Sequence, residues 1–380
     1  MKITFLMPRY EWAPCGGFRV VCEYANRLVS RGHEVSIVHP RRLGASAPPE
    51  KLSAYRQTRE NVNKLRDLLF KPTITWQPID KRVNLVYVPS LEPRYIPDGD
   101  AIFATAWGTV RPVQESPTRA GEKCYLIQGY ETWQGQKDLV DATWRSPLNK
   151  VVIAKWLYDL GKQLGSENMV YIPNAVNHER YRLIQPIEGR APRVAMLFAT
   201  ASIKGAAEGI EALNIARQKY PDLQASFFGL NILRRGIPKW IEYYRNPPQE
   251  ILIGEIYNRS SIYLAPSWTE GSPLPPAEAA CCGCALVTTD IGGFREYVEH
   301  GVTGLLSPPK DPKALAENLF LLLGDEELRV RLAKAANNYV SHFNWERSTD
   351  LLEDFVTKAV QGKGLGQGLA GVPIESMIQR

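Results

Sequence analysis

The chain has 380 residues, a formal net charge of +6, 44% hydrophobic and 23% charged residues. That length exceeds what one hydrophobic core ordinarily serves, so two domains are expected, and the balance excludes a disordered, collagenous or disulfide-framework chain. No stretch is long and apolar enough to span a bilayer as a helix, and the mild positive charge points to no nucleic-acid partner.

In chain order, the apolar run from Ile3 to Met7 reads as a first strand and is too short for a secretory signal. A loop through Gly16-Gly17 leads to a helix from about Phe18 to Arg31, with Val20, Val21, Tyr24 and Leu28 on one face and Gly32 ending it. Val35–His39 is the next strand, and this βαβ opening predicts a parallel sheet with helices on both faces. Strands follow at Leu85–Val88, Ala101–Ala104, Tyr125–Gln128 and Val151–Ala154. The turn-rich Tyr171–Val176 reads as an interdomain hinge. The alternation then restarts with a strand at Val194–Phe198, a helix at Ala206–Lys219 and strands at Ala225–Phe228, Ile262–Ala265, Leu286–Thr288 and Leu305–Leu306. Helices at Pro312–Leu323 and Glu326–Phe343 come next. Two α/β domains result, residues 1–172 and 173–344. A C-terminal helix is expected at about 345–361, and a Gly-rich flexible tail covers 362–380.

Residues 41–82 stand apart, with ten Lys/Arg against four Asp/Glu. A helix from about Leu52 to Leu69 there is read as a solvated basic face, with peripheral membrane contact as the minority reading. Six cysteines without a signal segment fit free thiols in a reducing, cytoplasmic setting, at the inner membrane face if the basic segment docks. Cys281, Cys282 and Cys284 lack a second ligand pair at zinc spacing and read as packing residues at a helix end. Asp98-Gly99-Asp100 reads as a turn. Gly366 to Gly371 matches a dinucleotide fingerprint in form only, since no strand precedes it.

The most informative segment is Ser267 to Glu278, in which seven residues, among them a Gly and three prolines, separate Glu270 from Glu278. A buried strand precedes it and an apolar, Ala- and Cys-rich helix follows. Pro275 and Pro276 suit the first helical turn. Strand, tight loop and helix N-terminus together form a site for an anion such as a phosphate. Carboxylates beside such a site accept hydrogen bonds from neighbouring hydroxyls. Glu278 alone, placed in the first turn, would be explained by the helix dipole. The Glu270-Gly271 pair at a strand end favours a ligand instead.

These residues resemble a known family. Pro266 to Gly304, Ile172 to Asn177, Gly16-Gly17 and Ile203-Lys204-Gly205, in that arrangement, are similar to retaining glycosyltransferases of the GT-B fold, family four, the group one transferases. The resemblance implies two Rossmann-like parallel-sheet domains facing each other across a cleft, with the C-terminal helix at about 345–361 rejoining the first. The N-terminal one serves the acceptor and the C-terminal one a nucleoside diphosphate sugar.

The resemblance also implies roles. Lys204 neutralises the donor diphosphate. Glu270 contacts the transferred sugar, and these two are the residues it implies for catalysis. Glu278 holds the ribose hydroxyls. Thr200 and the stretch Gly271, Ser272, Pro273 and Leu274 reach sugar and phosphate, while Gly16 and Gly17 let backbone approach from the other domain. Gln128, Tyr130 and Glu131 are assigned to the acceptor or sugar side.

Two departures are visible. The usual Arg before Lys204 is missing, with Arg9, Arg19, Arg234 and Arg295 as open substitutes. Gln128 stands where many members carry His, as in some that handle 6-deoxy sugars. No cofactor and no metal are expected. The expected partners are the nucleotide-sugar donor and a glycan or lipid-linked acceptor in surface polysaccharide or glycan assembly. The rival reading is a non-catalytic nucleotide-sugar-binding relative acting as partner or scaffold.

Overall fold

A computed structural model describes residues 1–41, 43, 62, 65, 69–70, 74–133, 135–231 and 236–363. Most of the helix expected near 52–69, most of the basic segment and the tail beyond 363 lie outside the described residues. Two compact units emerge, one of residues 1–173 with the chain from Trp345 onward, the other Asn174–Asn344.

The first unit holds a parallel sheet of β1 (Lys2–Leu6), β2 (Glu34–Pro40), β3 (Asn84–Val88), β4 (Ala101–Ala104), β5 (Glu122–Ile127), β6 (Asn149–Val152) and β7 (Met169–Tyr171). Its order is β3-β2-β1-β4-β5-β6-β7. Helices α1 (Gly16–Ser30), α2 (Trp107–Gln114), α3 (Lys137–Trp144) and α4 (Lys155–Gln163) connect the strands. Phe5 and Phe103 stack at 5.1 Å from adjacent strands, and β4 is buried throughout, as expected of a central parallel strand covered on both faces.

The second unit repeats the plan with β8 (Arg193–Leu197), β9 (Gln224–Gly229), β10 (Ile241–Arg245), β11 (Ile262–Ala265), β12 (Ala285–Thr289) and β13 (Gly304–Ser307), in the order β10-β9-β8-β11-β12-β13. Helices α5 (Ala206–Lys219), α6 (Leu274–Cys281), α7 (Pro312–Gly324) and α8 (Glu326–Val340) belong to it. Its core joins Val194, Met196, Phe227, Leu264, Val287 and Leu305 to Ala212, Leu213, Leu315 and Leu319 of the helices. Every pairing in both sheets is parallel.

Helix α9 (Trp345–Val360) belongs to the first unit. Trp345, Ser348, Thr349, Leu352, Phe355, Val356 and Ala359 recur at helical spacing on its buried face. Trp345 meets Tyr24 edge-on at 5.2 Å and Phe355 lies 6.2 Å from Phe103. Glu346, Asp350 and Glu353 on the same helix pair with Arg31 of the α1 end.

The chain-order reading missed α2, α3, α4, β7 and β10. Pro112 lies inside the eight-residue α2 and argued against a helix there. Tyr171, read as hinge, is the last residue of β7. Asp98 and Asp100 are engaged in the fold, by Arg119 and by the Lys2 amide respectively. The cysteines at 281, 282 and 284 are free, buried thiols, and burial raises their pKa values, so they stay protonated and inert.

Candidate functional site

In an open parallel sheet, ligands sit at the carboxyl ends of the strands where the strand order reverses, because the two departing loops run apart there. In the second unit that point falls between β8 and β11. Lys204 stands on the loop leaving β8 and Glu270 on the loop leaving β11. The Lys204 ammonium donates to both Glu270 oxygens, at 2.7 and 2.9 Å. Ser267 Oγ donates to Glu270 Oε1 at 2.9 Å.

Close backbone approach holds the two loops together. The Trp268 amide donates to the Ile203 carbonyl at 2.7 Å. Gly205 has φ +63°, and a Cβ there would lie 2.0 Å from the Pro266 oxygen. Only glycine fits both the left-handed backbone and that contact. A Cβ on Gly293 would lie 2.6 Å from the Glu270 carbonyl oxygen, so the loop after β12 packs directly beneath the carboxylate-bearing turn. The side chains of Lys204 and Glu270 remain 30% and 14% exposed, which leaves the pair open to a ligand.

Helix α6 begins at Leu274, with Pro275 and Pro276 in its first turn. Two consequences follow. Glu278 falls in the second turn, not the first, and is only 3% exposed, so the helix dipole alone does not explain it. The helix end also carries fewer donors than expected, since Pro273, Pro275 and Pro276 have no N–H and Leu274 alone among residues 273 to 276 brings one. More of the positive charge available to an anion therefore rests on Lys204.

Tyr257 donates its hydroxyl to Glu278 Oε2 at 3.3 Å. Burial drives the pKa values of Tyr257 and Tyr263 well up, and the Glu278 charge adds to both. Ser272 Oγ and the Tyr297 hydroxyl lie 2.6 Å apart, and the Asn174 amide donates to the Ser272 carbonyl at 3.1 Å. Ser272, Pro273 and Leu274 are thereby held in one conformation.

In the first unit the strand order reverses between β1 and β4. Gly17, on the first turn of α1, and Thr105, just past β4, are bridged there by Gln128, whose Nε2 donates to the Gly17 and Thr105 carbonyls at 3.2 and 3.5 Å. A Cβ on Gly17 would lie 3.2 Å from that amide, whereas Gly16 faces open space. Tyr130 donates to Asp141 at 2.6 Å, and Asp141 also holds Lys137. Glu131 Oε2 accepts from the Trp107 amide at 2.7 Å, placing a carboxyl at the N-terminus of α2. Burial raises the Glu131 pKa to about 7, against the Trp107 hydrogen bond.

The fold thus joins Lys204 to Glu270, with Ser272, Pro273 and Leu274 on the turn that follows Glu270 and Gly271. Glu278 is held by a separate contact, and Thr200 is exposed on the loop after β8. Gly16, Gly17, Gln128, Tyr130 and Glu131 belong to the first unit. Of the arginines named as substitutes, Arg9 pairs with Glu11 and Arg295 with Asp290. Arg19 lies on α1, and Arg234 is outside the described residues. Ser267, Asn174, Tyr257, Tyr297 and Gly293 were not singled out from sequence. Ser267, Gly293 and Tyr297 stand inside the Pro266–Gly304 stretch and Asn174 inside Ile172–Asn177, while Tyr257 carried no local signal. Among the described residues, no helix is long and apolar enough to cross a membrane.

Residues 177–339 match the family described as glycosyl transferases group 1. A D-inositol 3-phosphate glycosyltransferase of Corynebacterium jeikeium is 32% identical over 117 residues, which is 31% of this chain and 28% of that protein. The aligned stretch therefore spans under a third of that relative. A sucrose-phosphate synthase from Thermosynechococcus elongatus superposes with a TM-score of 0.70 at 17% identity, covering 95% of this chain and 100% of that one. HepE of Anabaena, in complex with UDP-glucose, superposes with a TM-score of 0.69 at 15% identity, covering 94% and 100%. The fold is GT-B, with two Rossmann-like parallel-sheet units.

Proposed function

We propose, from the premise that residues 177–339 resemble a group 1 glycosyltransferase domain on a GT-B fold, that the chain is a retaining glycosyltransferase. It moves a sugar from a nucleoside diphosphate sugar to an acceptor hydroxyl in glycan or surface polysaccharide assembly, without a metal. The observation that carries this reading is the Lys204–Glu270 pair at the β8/β11 switch point. It sets a phosphate-seeking cation beside a hydroxyl-seeking carboxylate.

The ammonium has three N–H donors, so Lys204 can keep its contact with Glu270 and still reach a phosphate oxygen. Glu270 then accepts from the hydroxyls of the transferred sugar, and Glu278 from the ribose. Leu274 and the dipole of α6 add to the field at the diphosphate. The bond from the sugar C1 to the diphosphate oxygen breaks as the acceptor oxygen bonds C1 on the same face. The acceptor proton passes to the leaving phosphate oxygen. Catalysis is then positioning together with stabilisation of charge developing on that phosphate.

A UDP sugar is the first donor to test, because HepE holds UDP-glucose on the same fold. UDP, GDP, dTDP and ADP are compared by thermal stabilisation with and without chelator. A ligand at a hundredfold excess over its Kd stabilises by about 2.7 kcal/mol. The expected result is one nucleotide clearly ahead, with the shift lost in Lys204→Ala. No shift with any of the four would sink the donor site. Binding with no turnover in any acceptor pool would leave the non-catalytic reading instead.

A further inference from the structure

The first unit carries an aromatic arrangement that donor chemistry leaves unused. Its adjacent strands β1, β4, β5 and β6 each run, past their C-terminal ends, into a segment bearing one tryptophan, namely Trp12, Trp107, Trp133 and Trp156. Neighbouring strands lie about 4.8 Å apart, so the four strand ends spread over about 14 Å of sheet edge. All four residues are partly exposed, Trp133 the most at 39%.

Two of these rings rest on bare backbone. A Cβ on Gly129 would lie 3.1 Å from the Trp133 ring, and a Cβ on Gly135 would lie 2.8 Å from the Trp107 ring. Both glycines belong to the loop after β5. A ring seated on a glycine is held in one orientation without being drawn into the core.

Polar groups are interleaved with the rings. Glu131 accepts from the Trp107 amide, and Gln128 Oε1 is buried with no hydrogen-bond partner. Sugar rings present C–H faces and hydroxyl edges, which match aromatic faces set among carboxyl and amide groups. A lipid chain would need a continuous apolar lining.

We infer that the acceptor is a glycan chain of two or more sugars lying along this edge. It stacks first on Trp133 and Trp107, and its further sugars reach towards Trp12 or Trp156. This rests on the glycosyltransferase reading, which is what makes the bound glycan an acceptor.

The full chain is tested on immobilised microbial and plant glycans arranged as mono- to hexasaccharide series, beside vesicles carrying sugar-free polyprenyl phosphate. The expected result is binding to at least one series that strengthens about tenfold or more from mono- to trisaccharide. Trp133→Ala should weaken it by a similar factor, Trp133→Phe should largely keep it, and Gly129→Ala should weaken it by displacing the ring. UDP stabilisation, which the proposed function assigns to Lys204 of the second unit, should stay unchanged in all three variants and so reports that they fold. Loss of UDP stabilisation in wild type with glycan binding intact counts against the donor reading alone. The inference is overturned by wild type binding no glycan, by affinity independent of chain length, by Trp133→Ala binding normally, or by binding to the sugar-free vesicles only.

Discussion

The two units repeat one sheet plan, and their switch points are built in opposite ways. In the second unit the crevice between β8 and β11 is charged and closely wired. Lys204, Glu270 and Ser267 hold one another, and Gly205 and Gly293 let neighbouring backbone press against the same turn. In the first unit the crevice between β1 and β4 is bridged by a neutral amide, Gln128, and the loops around it carry tryptophan. The same topology makes a crevice in each half, and a few strand-end residues decide whether an ion pair or a neutral amide lies in it.

That contrast is open to direct attack. The largest effect is expected at the charged side: Lys204→Ala should lower turnover by tens-fold or more, about 2 kcal/mol or above. Gln128→Ala should cost less, because it removes no charge. Nucleotide release in the presence of acceptor measures both, and equal losses would erase the distinction between the two crevices.

Next in size is Gly205→Ala, which meets a left-handed backbone and the Pro266 carbonyl at once. A destabilisation of about 1–3 kcal/mol or more is expected from the strain. Chemical denaturation reads it, and wild-type stability would mean that the loops after β8 and β11 are not clamped as described.

A smaller effect distinguishes the first unit. The folded Glu131 carboxyl has its pKa raised to about 7 from an ordinary 4.5, so the folded protein holds that proton more tightly than the unfolded chain. Its contribution favours folding at low pH and is lost as pH rises from the ordinary value through about 7. Glu131→Gln should flatten this part of the profile and raise Tm at pH 8 relative to wild type, while still accepting from the Trp107 amide. Parallel profiles in a Tm series from pH 5 to 8 would show that the carboxyl is not held in a protonation-sensitive setting.

The smallest effect is reserved for Glu346→Ala. This residue pairs with Arg27 and Arg31, but its side chain is 70% exposed. Solvent screening limits the loss to about 1 kcal/mol or less by denaturant unfolding. A much larger loss would show that the seat of α9 depends on charge as well as on Trp345 and Phe355.

Much of the fold was legible because parallel sheets leave strong local marks. The runs at Ala101–Ala104 and Ile262–Ala265 are apolar throughout because both faces are covered, and the Ala206–Lys219 helix stands out by its length. The short α2 carries an internal proline, and the edge strand β10 is only partly buried, so neither announced itself. The prolines of α6 stand in its first turn as read, but Glu278 was placed one turn too early because the helix begins at Leu274.

By itself, the sequence determined the two-unit α/β plan and the candidates Glu270 and Glu278, since periodicity and turn chemistry act over a few residues, while Lys204 and the return of the C-terminal helix came from the family resemblance. The tertiary structure alone decided which candidates meet. Lys204 and Glu270 are 66 residues apart in the chain, and their ion pair exists because β8 and β11 are neighbours in the sheet. It also decided that Tyr257 holds Glu278, that Gln128 ties Gly17 to Thr105, and that two tryptophans rest on glycine. Each of these depends on distances between distant segments, which no local pattern encodes.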